Sequence, residues 1–204
     1  MKKNSFLLLL SIFLLTCKTQ QSVASVYSHT FETVKGDPSN TLMYTLDNGL
    51  KVYLSVNKLS PRIQTLIAVK AGSKFDPAET TGLAHYLEHM MFKGTHKIGT
   101  KDWELEKLIL EAIATTFEAH RLENDPEKKE ILYAKIDSLS FEASKFAIAN
   151  EYDKMVSALG AKGTNAYTSN DETVYMNDIP SNEIEKWLLV EGERFQTLVL
   201  RLFH

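Results

Sequence analysis

Residues 80–92, TTGLAHYLEHMMF, constrain this chain more than any other segment. Their apolar side chains fall on several faces of the helix that the spacing predicts, so the segment is expected in a core, with Gly94 stopping it. His85, Glu88 and His89 stand inside that apolar helix. Two imidazoles and a carboxylate are costly to bury without partners, so a core that accepts them must give them something to bind. Four residues apart on a helix, the two histidines share one face with Cβ atoms about 6 Å apart, and both rings can converge on one ion at ~2.0–2.1 Å. Glu88 shares that edge and reaches a water on the metal without having to be a ligand. Zinc would lower the pKa of that water toward about 7, and Glu88 could take its proton and pass it to a leaving amine. These are the local requirements of peptide-bond hydrolysis.

Composition narrows the alternatives. The chain has 204 residues and one cysteine, which excludes an intrachain disulfide and a cysteine-rich zinc cluster. A metal site must therefore come from His, Asp and Glu, and the six histidines allow it. The chain is 44% hydrophobic and 24% charged, the balance of a globular protein. Its net charge of −3 supplies no basic surplus for a phosphate backbone, so nucleic acid is not an expected partner.

Residues 1–17, MKKNSFLLLLSIFLLTC, read as a signal peptide: two lysines, then an apolar run from Phe6 to Leu15. That run, roughly 10 residues, falls short of the ~20 needed to span a bilayer. Cys17 after Leu14-Leu15-Thr16 resembles the lipobox of bacterial lipoproteins, in which the cysteine is lipidated; cleavage near Val23-Ala24-Ser25 is the competing outcome. Both imply an exported protein, in the bacterial periplasm or anchored to a membrane as a lipoprotein. Residues 18–40 are expected to be a linker.

The unit proper is expected at 41–204. Leu42–Leu46 and Leu50–Val56 read as strands around Asp47-Asn48-Gly49, a hairpin whose Asn-Gly pair takes positive φ. Arg62–Ala71 reads as a further strand, central in a sheet. From about Lys101 to Leu159 the chain reads as helix-rich, and the resemblance given below implies that residues of about 97–157 are a helical insertion. In it, Asp125-Pro126 separates Trp103–Arg121 from Glu127–Ala149 as an antiparallel hairpin. Asn165–Ser169 and Thr173–Asn177 return to strand composition, and Pro180–Leu200 has the spacing of a helix packed on a sheet. The expected class is α+β: a mainly antiparallel sheet with helices on one face, plus the inserted helical hairpin.

The H-x-x-E-H pattern is the inverted zincin motif, with about 0.01 chance occurrences expected at this composition. The stretch Gly82-Leu83-Ala84-His85-Tyr86-Leu87-Glu88-His89-Met90-Met91-Phe92-Lys93-Gly94-Thr95 closely resembles the signature of the pitrilysin/insulinase family of zinc metallopeptidases. Three more stretches agree in order: Leu46-Asp47-Asn48-Gly49-Leu50, the strand ending at Ala71-Gly72-Ser73, and Gly163-Thr164-Asn165-Ala166-Tyr167-Thr168-Ser169. The resemblance implies Zn2+ as cofactor, His85 and His89 as its ligands, and Glu88 as catalytic base. It also implies that Asn165, Ala166, Tyr167 and Thr168 lie on an edge strand where an extended peptide or unfolded polypeptide substrate is paired through its main chain.

Catalytic zinc takes three protein ligands plus water, and the resemblance puts the third, a glutamate, on a helix later than any in this sequence. Glu191 and Glu193 are the nearest carboxylates, in the helix before it, and are expected to be surface or supporting groups. The chain therefore reads as the N-terminal part of a longer zinc-dependent endopeptidase, whose partner is its missing C-terminal half or a second family subunit. The alternatives are a non-catalytic family subunit and an inactive truncated product.

Overall fold

The computed structural model describes residues 30–201, which divide after Asn57 into two units. The expected signal peptide with Cys17, and residues 18–29 of the expected linker, lie outside the described residues.

The first unit is a three-stranded antiparallel sheet in the order β1 (Phe31–Glu32), β2 (Leu42–Thr45), β3 (Lys51–Leu54). Phe31 and Glu32 pair with Tyr44 and Met43, so strand pairing begins within the stretch expected as linker. The β2–β3 hairpin forms where its turn residues predict, with a different turn. Gly49 alone has positive φ, +85°, and its N–H donates to Leu46 O at 2.8 Å. Asn48 instead accepts the Leu50 N–H through Oδ1 at 3.0 Å, and its own φ is not positive. Before β2, the Ser39 hydroxyl and the Ser39 and Thr41 N–H groups hold the Asp37 carboxyl well below the usual carboxylate range.

The second unit holds a three-stranded antiparallel sheet and the helices α1 (Leu83–Met90), α2 (Trp103–Leu122), α3 (Pro126–Ser144), α4 (Glu151–Ala158) and α5 (Ile184–Gln196). Its sheet runs β4 (Arg62–Val69), β6 (Thr173–Pro180), β5 (Lys162–Thr168), so β6 is central and β4 and β5 are edges. Strand alternation sorts the faces: Tyr175 and Asn177 of β6 turn toward α4 and α5, whereas Leu66 of β4, 61% exposed, turns the other way. The fold is α+β with helices on one face, but the strands form two separate sheets instead of the one expected.

Helix ends follow local chemistry. Asp102 caps α2 by accepting the Leu105 N–H, and Asp125 caps α3 by accepting those of Glu127 and Lys128, with Pro126 in the first turn. The two helices pack through Ile113, Ile136 and Ala143, flanked by Ile109, Leu110 and Leu139. Two expected helices end early for non-local reasons. The helix expected to reach Ala149 stops at Ser144 because residues 146–148 pair with 99–101: Lys101 N–H donates to Phe146 O and Ile148 N–H to Gly99 O. The helix expected to reach Leu200 stops at Gln196 because Val199 N–H donates to Gly94 O and Leu198 bridges Thr95.

Arg201 organises the loop that follows α1. Its guanidinium meets the buried Glu106 carboxylate through two bonds of 2.8 and 3.0 Å and donates to the carbonyls of Lys93, Thr95 and Ile98. Gly94, at φ +110°, has no room for a side chain there: an added Cβ would lie 2.1 Å from Ile98 O. Breaking a buried ion pair from one side leaves an uncompensated charge and costs about 3–5 kcal/mol. Arg201→Met is therefore expected to lower unfolding free energy by about that amount in chemical denaturation, while an exposed ion pair such as Arg121 with Glu118 contributes at most about 1 kcal/mol.

Candidate active site

The helix α1 is started from outside itself. Asp76, in the turn after β4, accepts the N–H groups of Gly82 (2.7 Å) and Ala84 (2.8 Å), satisfying donors that a helix start leaves open and placing a negative charge there. Sequence reasoning missed Asp76; the Asp76-Pro77 pair is a turn signal that marks it. The α1 segment was expected to be buried, but Leu83, Tyr86 and Leu87 are 40–42% exposed, and Glu88 and Met90 are its buried residues. The helix meets β5 and β6, and Glu88 is on the edge that faces them.

His85 and His89 project together. Their Nε2 atoms are 3.1 Å apart and their ring centroids 4.8 Å, and both residues are exposed. Two nitrogens on a tetrahedral zinc at ~2.0–2.1 Å stand about 3.3 Å apart, so the pair fits two of its ligand positions. Imidazole suits zinc, as it does several other transition metals.

Glu88 is turned inward, 7% exposed. Its Oε2 accepts the Thr168 hydroxyl at 2.5 Å. Thr168 Oγ1 is also 3.2 Å from Thr173 Oγ1, which donates to Ala71 O at 2.9 Å, so the ends of three strands meet beside this carboxylate. Tyr175 is close enough to feel its charge. Burial pushes the Tyr175 hydroxyl up to about 12, Arg194 opposes the shift and Glu88 adds to it, so the ring stays neutral.

The four expected substrate-strand residues lie on β5. Asn165, Ala166, Tyr167 and Thr168 pair with Met176, Tyr175, Val174 and Thr173 on one side. Among the described residues, no strand pairs with the other edge of β5. The register shifts between Lys162 and Asn165, where Gly163 has φ +58°.

Glu191 and Glu193 are committed elsewhere. Glu191 was expected at the surface or in support; it is buried, accepting from Arg194 Nε and Nη2 (3.0 and 2.5 Å) and from the Tyr152 hydroxyl (2.7 Å). Asn177 joins this set, with Nδ2 donating to Tyr152 and Oδ1 accepting from Thr164 of β5. The Arg194 guanidinium lies 4.3–5.4 Å from the ring centroids of Tyr152, Tyr175, Phe195 and Phe92, a cation among aromatic faces. Sequence reasoning missed Arg194, Tyr152 and Asn177, since only the Glu191 and Arg194 spacing of three is visible in one dimension. Among the described residues, no third His, Cys, Asp or Glu gathers with the histidine pair.

Glu193 takes hydrogen bonds from Lys97 Nζ (2.8 Å), Thr197 Oγ1 (2.7 Å) and Thr95 Oγ1 (3.1 Å). Lys97 first, then Thr197, hold its carboxyl down at about 2. A depressed carboxyl stabilises the fold above its unfolded value of 4.5, and that contribution disappears as pH falls through about 2. The stability difference between the native chain and Glu193→Gln is therefore expected to shrink across that window and to be flat above it, as measured by denaturation at each pH.

Residues 51–125 match the sequence model of the family described as Insulinase (Peptidase family M16). A probable mitochondrial-processing peptidase subunit beta of Arabidopsis thaliana is 48% identical over 58 residues, 28% of this chain and 11% of that protein. The mitochondrial-processing peptidase subunit alpha of Bos taurus is 37% identical over 73 residues, 35% of this chain and 14% of that protein. The matches thus span a small part of these relatives. The crystal structure of a protease from Helicobacter pylori superimposes with a TM-score of 0.51 at 23% identity, covering 85% of this chain and 27% of that one, a likeness of fold. The expected bacterial periplasmic or lipoprotein location is overturned by these comparisons, in which the two relatives named are mitochondrial-processing peptidase subunits.

Proposed function

We propose, from the premise that the chain belongs to the insulinase family, peptidase family M16, in its N-terminal part, that it acts as a zinc-dependent endopeptidase. The observation that carries this reading is the His85–His89 pair, with Nε2 atoms 3.1 Å apart, one residue from the inward-turned carboxylate of Glu88.

In this reading His85 and His89 hold the metal through Nε2. A bound zinc supplies Lewis acidity that makes water acidic near neutral pH. Glu88 accepts a proton from the attacking water and returns it to the leaving amine, a role open to a carboxylate fixed at one place by Thr168. An extended peptide pairs with the open edge of β5 at Asn165–Thr168, taking main-chain hydrogen bonds that do not depend on its sequence. Glu191 and Glu193 are not assigned to the third ligand position, since their oxygens already serve Arg194, Tyr152, Lys97 and two threonines. A second family subunit is the proposed partner, in keeping with the designation of the relatives as subunits alpha and beta.

The test is cleavage of an unstructured fluorogenic peptide by the full-length protein. Activity is expected to require zinc, and Glu88→Gln is expected to lower kcat by about 10²- to 10⁴-fold. Cleavage that survives Glu88→Gln would contradict the assignment.

A further inference from the structure

We propose that Thr168 is a positioning residue, whose side-chain hydroxyl holds the Glu88 carboxylate against β5 so that the strand receiving the peptide also sets the place of the base. The inference rests on the reading of Glu88 as general base and of β5 as the substrate edge. It adds a side-chain role to a residue otherwise assigned only main-chain pairing.

The proton inventory supports it. An ionised carboxylate only accepts hydrogen bonds, and each threonine has one hydroxyl proton to give. The Thr173 proton goes to Ala71 O, a carbonyl that cannot donate in return. The Thr168 proton goes to Glu88 Oε2, while Thr173 Oγ1 is further away at 3.2 Å. Among the described residues, Thr168 is the hydrogen-bond donor to this buried oxygen.

Geometry couples this bond to the strand. Thr168 is the last residue of β5 and lies opposite Thr173, the first of β6. Beyond it the turn is braced, with Ser73 N–H donating to Ser169 O and Lys74 N–H to Asn170 O. Gly72 is pressed against this turn so closely that an added Cβ would lie 2.5 Å from Ser169 O. The backbone that carries the hydroxyl is therefore braced, and rotation about χ1 is the one motion that takes the hydroxyl from Glu88 without disturbing the end of the sheet. A peptide pairing on the outer edge of β5 would stiffen the same strand.

Two variants isolate the hydroxyl. Thr168→Val removes it at nearly constant shape, and Thr168→Ser keeps it. In the metal-free full chain labelled with 13C in glutamate side chains, the Glu88 carboxyl resonance, identified by its loss in Glu88→Gln, is expected to move in Thr168→Val and to stay in place in Thr168→Ser. An unmoved resonance in a folded Thr168→Val would overturn the proposal. If that variant fails to fold, the native protein decides: a cross-peak between the Thr168 hydroxyl proton and the Glu88 carboxyl carbon is expected, and its absence would overturn the proposal equally. With zinc and peptide, Thr168→Val is expected to lose about 10- to 100-fold in kcat with KM within about twofold, and serine to restore it. A rise in KM at unchanged kcat would make Thr168 a substrate contact and contradict the positioning role. The carboxyl measurement stands whether or not the protein cleaves peptides, so a failure of the peptidase reading is told apart from a failure of this one.

Discussion

A carboxylate taken out of water must be met by donors, and the second unit is arranged around that requirement. Among the described residues three glutamates are buried in it, each met by donors. Glu88 takes the Thr168 hydroxyl and joins α1 to the edge strand β5. Glu191 takes Arg194 and Tyr152 and, through Asn177, joins α5 and α4 to the central strand β6. Glu106 takes Arg201 and joins α2 to the loop after α1. The apolar clusters are small by comparison, Ile98, Tyr152 and Val156 in one and Ile113, Ile136 and Ala143 in the other. Hydrophobic burial brings the elements together, and the buried charges select which of them meet. Removing one partner leaves a charge stranded, which makes such pairs poor sources of net stability and strong constraints on arrangement.

The same requirement separates the two ionisable types on α1. The histidines sit on the open side, where their Nε2 atoms converge, and the glutamate sits on the closed side, fixed by a neutral donor. In the proposed function the metal ligands must be reachable and the base must be held still. One turn of helix meets both needs because residues 85 and 89 share a face while residue 88 is rotated from it toward the sheet. Asp76 fixes the start of this helix from the preceding turn, so the orientation is set at both ends of the motif.

Much of this was readable from short-range patterns. The hairpin around Gly49, the cap at Asp125 and the histidine pair all depend on residues within a few positions of one another. Features that depend on distant residues were not. Ser144 ends α3 because residues 146–148 find partners at 99–101, and α5 gives way to an extended segment that pairs near Gly94. The apolar composition of 80–92 suggested a buried helix, whereas α1 buries Glu88 and leaves Leu83 and Leu87 partly exposed, since composition does not say which side faces the sheet. The sequence left Glu191 open between a surface and a supporting carboxylate because Tyr152, which lies 39 positions away and meets it together with Arg194, is invisible at local range.

The central claim is that His85 and His89 bind one metal ion together. Zinc titration of the full-length protein, read by calorimetry and by X-ray absorption at the zinc edge, tests it without reference to catalysis. One equivalent of zinc with two imidazole nitrogens at about 2.0–2.1 Å is expected, with binding lost in His85→Ala and in His89→Ala and retained in Glu88→Gln. Zinc bound with equal affinity by the native chain and by the His85→Ala/His89→Ala double variant would contradict the account.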